Sequence, residues 1–169
     1  MSLSGKVTVV AGADADAKAV EQVVSVLRDL PGAQVSVSRT PDASGDQVWV
    51  GTAETTPGID GLVASLGGSK AATLPADGYV IASGRRSGHN VIALQGKDAR
   101  GTFYAVQTLR QLVRHDKVAS VTVRDWPLMP IRGGIEGFYG IPWSHQARLD
   151  QFTFYGRHKM NTLSLIHIS

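Results

Sequence analysis

The residues best suited to chemistry lie together within residues 132–162. A carboxylate, Glu136, and two aromatic side chains, Phe138 and Tyr139, follow an apolar run and are interleaved with glycines. Sugar sites favour aromatic faces together with backbone groups that a ligand can approach closely, which glycine permits. This loop is therefore a candidate sugar-binding site. An ordinary packed turn is the alternative that the spacing alone leaves open.

The pattern on either side of the loop predicts a strand, a helix and a second strand. Residues 131–135 can form the first strand, residues 146–158 the helix, and the chain from Met160 onward the second strand. This order is one unit of a parallel (β/α)8 barrel, in which active sites lie at the carboxyl ends of the strands. A closed barrel needs eight such units. Residues 125–162 are therefore expected to hold only the start of a TIM barrel.

A separate α/β domain is predicted upstream, over residues 1–124. Short β-branched runs alternate there with apolar residues at helical spacing, as in layered α/β folds. Asp14 or Asp16 can cap the first helix and Asp98 the last, which has a complete apolar face. The predicted strands are 6–11, 33–37, 47–51, 78–83, 90–95 and 118–123, with a further short helix at 59–66. The strands 78–83 and 90–95 are predicted to form a hairpin, because the loop between them is rich in turn residues. The fold class is an α/β sandwich domain followed by one β–α unit.

Composition excludes several classes of function. The chain has 169 residues, 43% hydrophobic and 18% charged, with a net charge of +3, as is ordinary for a globular protein. The basic residues are scattered, so no nucleic-acid partner is expected, and no apolar run approaches the roughly 20 residues of a membrane span. Cysteine is absent and the histidines lack local ligand spacing, so no metal and no cofactor is expected. Trp49 and Trp126 are interpreted as core residues rather than sugar platforms.

Several motifs around the candidate loop resemble glycoside hydrolase family 84. The opening strand and helix of that family's catalytic barrel are similar to Arg132-Gly133, Glu136-Gly-Phe-Tyr-Gly140, Pro142-Trp143 and Lys159-Met-Asn-Thr162. Residues 101–112 and 121–127 are similar to the helix and exit strand of the α/β accessory domain that precedes the barrel in family 84 and family 20 hexosaminidases. In family 20, Arg-Gly is followed by a Leu-Asp and Arg-His pattern. The Glu136-Gly-Phe-Tyr run therefore favours family 84.

The resemblance implies a β-N-acetylglucosaminidase acting on N-acetylglucosamine-containing glycans or glycoproteins. It implies that the main chain of Gly137 contacts the sugar and that Tyr139 lies close by, whereas Glu136 is interpreted as structural and paired with a basic group. The family's catalytic aspartates belong to a later strand, so we expect no catalytic residue here and an inactive chain. The parent is expected to be extracellular, although this chain starts without a signal peptide. A family 20 β-N-acetylhexosaminidase fragment and a non-catalytic glycan-binding or interaction module are the alternatives.

The last seven residues, 163–169, depart from the family pattern. A tyrosine-containing strand and a Pro-Lys-Asp-Asp segment are expected after Thr162, but the chain continues as Leu-Ser-Leu-Ile-His-Ile-Ser. A common transposon-end adapter of sequencing libraries can encode this heptapeptide. We therefore expect a non-native tail, with a native divergent strand as the alternative.

Overall fold

The computed structural model describes residues 1–137 and 141–165 of the chain. The chain divides into two compact units, Met1–Pro127 and Leu128–Ser169. The first is called the sheet domain below, and the second the loop–helix unit. Among the described residues, no helix is both long enough and apolar enough to cross a membrane.

One six-stranded sheet with three helices forms the sheet domain. The sheet strands are β1 (Gly5–Val10), β2 (Ala33–Ser38), β3 (Asp46–Gly51), β4 (Tyr79–Arg86), β5 (His89–Gly96) and β8 (Thr122–Asp125). The helices are α1 (Ala17–Arg28), α2 (Ile59–Ser65) and α3 (Ala99–Leu112), with a 3₁₀ turn at Ala71–Thr73. Two short strands, β6 (Val113–Arg114) and β7 (Lys117–Val118), pair as a hairpin outside the main sheet.

The strand order in the sheet is β2-β1-β3-β5-β4-β8. The first four strands in this order are parallel, whereas β4 is antiparallel to both β5 and β8. The predicted β4–β5 hairpin is confirmed.

The bounds of the predicted strand at 118–123 are wrong, because Val118 closes the β6–β7 hairpin and β8 begins only at Thr122. The turn residues His115 and Asp116 have φ values of 45° and 63°, which a two-residue hairpin turn requires.

Alternating side chains along the strands supply two cores, one on each face of the sheet. On the first face, Val7 and Val48 pack with α1 and α3. On the second face, Val10, Trp49 and Ala93 pack with α2. The first face is covered by helices of 12 and 14 residues, and the second by a helix of only 7. The second face is therefore less completely covered.

Aspartates begin the two long helices, as the sequence predicts. Asp16 Oδ1 accepts a hydrogen bond from Ala19 N at 2.6 Å, and Asp98 Oδ1 accepts one from Gly101 N at 2.8 Å. Each carboxylate satisfies an N–H group that would otherwise be unpaired in the first helical turn. Asp98 Oδ2 also accepts from Asp77 N at 2.8 Å, which joins the start of α3 to the segment that enters β4.

A buried tyrosine ties the edge strand β8 to the helix layer. Tyr79 Oη donates to Asp125 Oδ2 at 2.6 Å and lies 2.7 Å from Thr108 Oγ1 on α3. Burial, followed by the neighbouring carboxylate, raises the pKa of Tyr79, so its phenol remains protonated. This contact fixes the last residue of β8.

The loop–helix unit contains β9 (Gly133–Glu136), α4 (His145–Arg157) and β10 (Thr162–Leu165). The two strands pair in parallel from Gly133↔Thr162 to Glu136↔Leu165, so the predicted strand–helix–strand order is confirmed. The second strand starts later than predicted, because Lys159 has a φ of 59° and Met160 N donates to Tyr155 O at the end of α4. The first residues of the expected non-native tail lie in β10, and residues 166–169 lie outside the described residues.

Two glycines of β9 allow close packing within this unit. A Cβ atom at Gly133 would lie 1.7 Å from the carbonyl oxygen of Thr162, and one at Gly134 would lie 2.3 Å from Tyr155 Oη. Tyr155 is buried, whereas Phe152 and Phe154 on the same helix are 53% and 47% exposed. The side of α4 that carries Tyr155 therefore packs on the strands, and much apolar surface elsewhere on the helix faces solvent.

The packing of Leu109 gives a test of the sheet domain. Leu109 is fully buried in the first core, so Leu109→Ala should lower the free energy of unfolding by about 2–5 kcal/mol through lost contacts and a cavity. Leu109→Asp should prevent folding, because it buries an unpaired charge. Urea unfolding followed by circular dichroism measures both effects. Leu128→Ala, at a residue 90% exposed, is the control and should not move the midpoint. A wild-type midpoint for Leu109→Asp would contradict this packing.

Candidate functional site

The carboxylate of Glu136 lies at the carboxyl end of β9 and is only 1% exposed. Its Oε1 accepts hydrogen bonds from Trp143 N at 3.0 Å and from Arg148 Nη2 at 2.9 Å. Its Oε2 accepts from Arg148 Nε at 2.9 Å. Two parallel N–H···O bonds make this a bidentate arginine–carboxylate pair, a strong and geometrically specific contact. The expectation that Glu136 pairs with a neighbouring basic group is confirmed.

These hydrogen bonds join the end of β9 to the start of α4. Arg148 lies near the first turn of the helix, and Trp143 directly precedes the cap residue Ser144, whose Oγ accepts from Ala147 N at 3.1 Å. Negative charge is favoured at a helix N-terminus, so the Glu136 carboxylate suits this position and offsets the charge of Arg148 there. The residues that flank positions 137–142, called the site loop below, are therefore held together.

Arg148 also determines the charge state of Glu136. Its hydrogen bonds hold the pKa of Glu136 below the usual range; burial opposes this effect, and the Trp143 N–H supports it. The same contact raises the pKa of Arg148. At neutral pH Glu136 is thus an anion with both oxygens engaged. It is not placed to donate a proton, in agreement with its interpretation as a structural residue.

The opposite, amino-terminal end of the strand pair is held by Arg132 and Asn161. Arg132 N donates to Asn161 Oδ1 at 2.9 Å, and Asn161 Nδ2 donates to Pro130 O at 2.7 Å. Arg132 Nε donates to Lys159 O at 2.9 Å. Arg132 and Asn161 therefore clamp the starts of β9 and β10, at the end of the strands away from the site loop.

Of the two residues predicted to contact the sugar, Gly137 and Tyr139, only Gly137 lies in the described part of the chain. Gly137 is exposed and directly follows β9, at the carboxyl edge that β9 shares with β10. Tyr139 lies outside the described residues, as does Phe138. Trp143, which the sequence did not single out as a site residue, follows the same loop and is 39% exposed. The carboxyl edge of parallel strands is where α/β proteins collect ligand-binding groups.

Sequence reasoning did not identify Arg148 as the partner of Glu136. The two residues are 12 positions apart across a loop, so neither the strand period nor the helix period relates them. The one available signal was the position of Arg148 in the first turn of the predicted helix that follows the loop. Among residues 1–137 and 141–165, no cluster of three histidine, aspartate or glutamate side chains could hold a metal ion.

The anchoring of the site loop can be tested with Glu136→Gln. Glutamine offers one acceptor oxygen, so it cannot serve both Trp143 and Arg148 as the carboxylate does. We expect faster hydrogen exchange at Trp143 N–H and at the first amides of α4. Asp150→Asn removes a carboxylate from an exposed position on the same helix and is the control. Equal exchange at Trp143 in Glu136→Gln and wild type at neutral pH would show that the carboxylate does not hold the loop.

The lowered pKa of Glu136 also sets the pH dependence of this effect. A carboxylate with a depressed folded-state pKa stabilises the fold above its unfolded pKa, about 4.3, and loses this stabilisation as the pH falls through the folded value. The difference in protection between wild type and Glu136→Gln should therefore be full at neutral pH and disappear on acidification.

Two protein-family models match the chain. Residues 1–126 match the model described as glycosyl hydrolase family 20, domain 2, and residues 132–164 match the model described as beta-N-acetylglucosaminidase. The first match spans most of the chain and coincides with nearly all of the sheet domain. The second match contains β9, the site loop and α4.

Solved structures of glycoside hydrolases are also similar to the chain. CpGH84B is 28% identical with a TM-score of 0.73, and the match covers 96% of this chain and 26% of that one. CpGH84D is 24% identical with a TM-score of 0.76, over 97% of this chain and 27% of that one. A family GH115 4-O-methyl-alpha-glucuronidase, BtGH115A, shares the fold at 14% identity and a TM-score of 0.66, over 98% of this chain and 26% of that one.

The chain thus spans about a quarter of the length of each of these structures. The family match over residues 1–126, the second match over residues 132–164 and the likeness to CpGH84B agree with the resemblance in the sequence motifs. The chain therefore belongs to the hexosaminidase-type glycoside hydrolases: it carries a glycosyl hydrolase family 20 domain 2, followed by a segment that matches the beta-N-acetylglucosaminidase model.

Proposed function

We propose that the chain forms the N-terminal part of a β-N-acetylglucosaminidase that removes terminal β-linked N-acetylglucosamine from glycans. The observation that carries this proposal is the buried Glu136 carboxylate, which ends a parallel strand and binds Trp143 and Arg148 on the other side of the site loop. Residues 132–164, which include the loop, match a beta-N-acetylglucosaminidase model. The parallel β9–α4–β10 unit would then be the first part of a (β/α)8 barrel.

In the proposed reaction the substrate supplies its own nucleophile. The oxygen of the 2-acetamido group attacks the anomeric carbon, the leaving oxygen takes a proton, and an oxazoline forms that water then opens with retention. One aspartate would orient and polarise the acetamide, and the adjacent aspartate would act first as acid and then as base. This differs from retaining enzymes that use a carboxylate nucleophile. No two aspartates are adjacent in this chain, so both catalytic groups would come from further sequence.

Gly137 and Tyr139 are the proposed sugar contacts of this chain. A main chain that meets a sugar leaves little room for a Cβ atom, and glycine has none. Gly137 is exposed at the carboxyl edge of β9, so its backbone is accessible to a ligand. Glu136 would act through the loop, because its own oxygens are occupied by Trp143 and Arg148. An extracellular location of the whole protein is part of the proposal, and it rests on the family resemblance.

A second function is a non-catalytic glycan-binding or interaction module. The completeness of the sheet domain favours it, since two buried clusters and both capped helices lie within Met1–Pro127. The DNA sequence beyond codon 162 distinguishes between the two proposed functions. Continuation into a barrel with adjacent aspartates supports the enzyme, and a family 20 pattern there would support a β-N-acetylhexosaminidase. A stop codon would favour the module.

Gly137→Val in the complete gene product tests the proposed sugar contact. The added side chain should block the approach of the sugar and raise KM for 4-nitrophenyl N-acetyl-β-D-glucosaminide by about tenfold or more, comparable to the loss of one strong contact. The melting temperature should change little, because Gly137 is exposed. Gly61→Val is the control, since Gly61 is exposed on α2 and no atom lies near its missing Cβ. Normal kinetics for Gly137→Val would remove Gly137 from the site.

The 169-residue chain itself should not hydrolyse the same chromogenic substrate. Glycoside cleavage needs a proton donor and stabilisation of an oxocarbenium-like transition state, and Glu136 is engaged and ionised. The expected result is a rate equal to that of buffer for the purified chain. Turnover that disappears in Glu136→Gln would show that the catalytic machinery lies in this chain and that the proposed mechanism is wrong.

A further inference from the structure

The sheet domain has a cavity of about 270 Å³ on the less covered face of its sheet. The face is covered by α2, and the cavity lies beside the amino-terminal halves of β3 and β5. Its lining includes Trp49, Val91 and Gln47 from these strands, Pro41 from the loop before β3, and Arg86 and His89 from the β4–β5 hairpin. All of these residues belong to the sheet domain, and none of them belongs to the site loop.

The floor of the cavity combines apolar side chains with one amide, and hydrogen bonds fix it in position. Gln47 and Val91 are direct partners in the β3–β5 ladder, and Trp49 lies two residues along β3 on the same face. Trp49 is 8% exposed, in agreement with its interpretation as a core residue. Its indole Nε1 donates to Gln47 Oε1 at 2.9 Å, and Gln47 Nε2 donates to Asp42 O at 2.9 Å. The indole ring is therefore held in one defined orientation.

The rim of the cavity carries positive charge that no neighbouring carboxylate neutralises. Arg86 and His89 are partners across the hairpin, on either side of the turn formed by Ser87 and Gly88. In the described part of the chain, no carboxylate lies within ion-pair distance of Arg86.

The two acidic side chains nearest in sequence to the floor are already paired. Asp42 lies 2.5 Å from Lys6 Nζ, and this contact together with Ser44 lowers the pKa of Asp42. Asp46 is one residue before Gln47, so its side chain points to the opposite face of β3. There it accepts hydrogen bonds from the backbone and side-chain amides of Asn90. Arg86 is thus a cation available to a ligand.

We propose that this cavity binds one acidic sugar unit of a glycan, with its carboxylate or sulfate on Arg86 and its ring against Pro41 and the small exposed part of Trp49. Its volume, about 270 Å³, is just below the roughly 300–1,000 Å³ typical of sites for larger ligands, which suits a single sugar ring. Apolar surface with a few placed polar groups is the usual composition of such sites. An arginine is the side chain best matched to a planar or oxygen-rich anion. The site would hold the glycan independently of any catalytic activity.

Nuclear magnetic resonance of the 169-residue chain tests this proposal. The chain has three tryptophans, so the indole N–H signal of Trp49 can be followed beside those of Trp126 and Trp143 as internal references. The probes are N-acetylglucosamine 6-sulfate and methyl β-D-glucuronide, with neutral N-acetylglucosamine and inorganic sulfate as comparisons. We expect a saturable shift of the Trp49 signal with at least one acidic sugar, and weaker or no binding of the neutral sugar and of the bare ion. The acidic sugar that binds identifies the anionic group.

Two arginine substitutions make the test specific. Arg86→Gln removes the exposed cation and should weaken binding of the acidic sugar by about tenfold or more, as expected for a lost charged hydrogen bond. Arg39→Gln removes the same charge from an exposed position after β2 and should leave binding unchanged. The absence of a saturable Trp49 shift with both acidic sugars would overturn the proposal. So would equal binding of inorganic sulfate, or unchanged affinity in Arg86→Gln.

Discussion

The burial of one carboxylate constrains the whole loop–helix unit. An ionised glutamate that is 1% exposed must find partners for both oxygens, because an unpaired buried charge is strongly unfavourable. Glu136 finds them in Arg148 and in the main chain at Trp143. The position of the start of α4 relative to the end of β9 follows from this requirement. The glycines of β9 make it possible, since Gly134 leaves the space that Tyr155 occupies.

The sheet domain is governed by the unequal cover of its two faces. The pair α1 and α3 closes one face, with Leu27 and Leu109 fully buried between helices and strands. The seven residues of α2 close only part of the other face. Gln95, which is fully buried, extends this cover by accepting from Ala71 N and donating to Asp60, and so holds the 3₁₀ turn and α2 on β5. The cavity described above lies on the same face at the other end of β5, beside His89, the first residue of the strand, and Trp49 on β3.

The sequence was sufficient for features that depend on local spacing. The capping aspartates Asp16 and Asp98, the apolar face of α3 and the β4–β5 hairpin follow from periodicity and turn chemistry, and all are present. The motifs around Glu136 were sufficient to identify the glycoside hydrolase relationship. Features that depend on distant partners could not be predicted in this way. The Glu136–Arg148 pair joins residues on either side of a loop. β8 begins at Thr122 rather than at Val118, because a two-residue turn at His115 and Asp116 places Val118 in the β6–β7 hairpin, and the apolar pattern does not reveal that turn.

The phenol of Tyr79 has a consequence for how the edge strand opens. β8 has only four ladder positions, and an edge strand is held by hydrogen bonds on one side alone. Such strands fray from their ends. The last residue, Asp125, is bound through its side chain to Tyr79 on the neighbouring strand β4, and Tyr79 in turn contacts Thr108 on α3. The start of β8 is held as well, because Ser83 Oγ on β4 accepts from Val121 N at 2.7 Å and donates to Val121 O at 2.8 Å. Side-chain hydrogen bonds thus hold β8 at both ends, so thermal fluctuations of this strand leave the exit of the chain from the sheet in place.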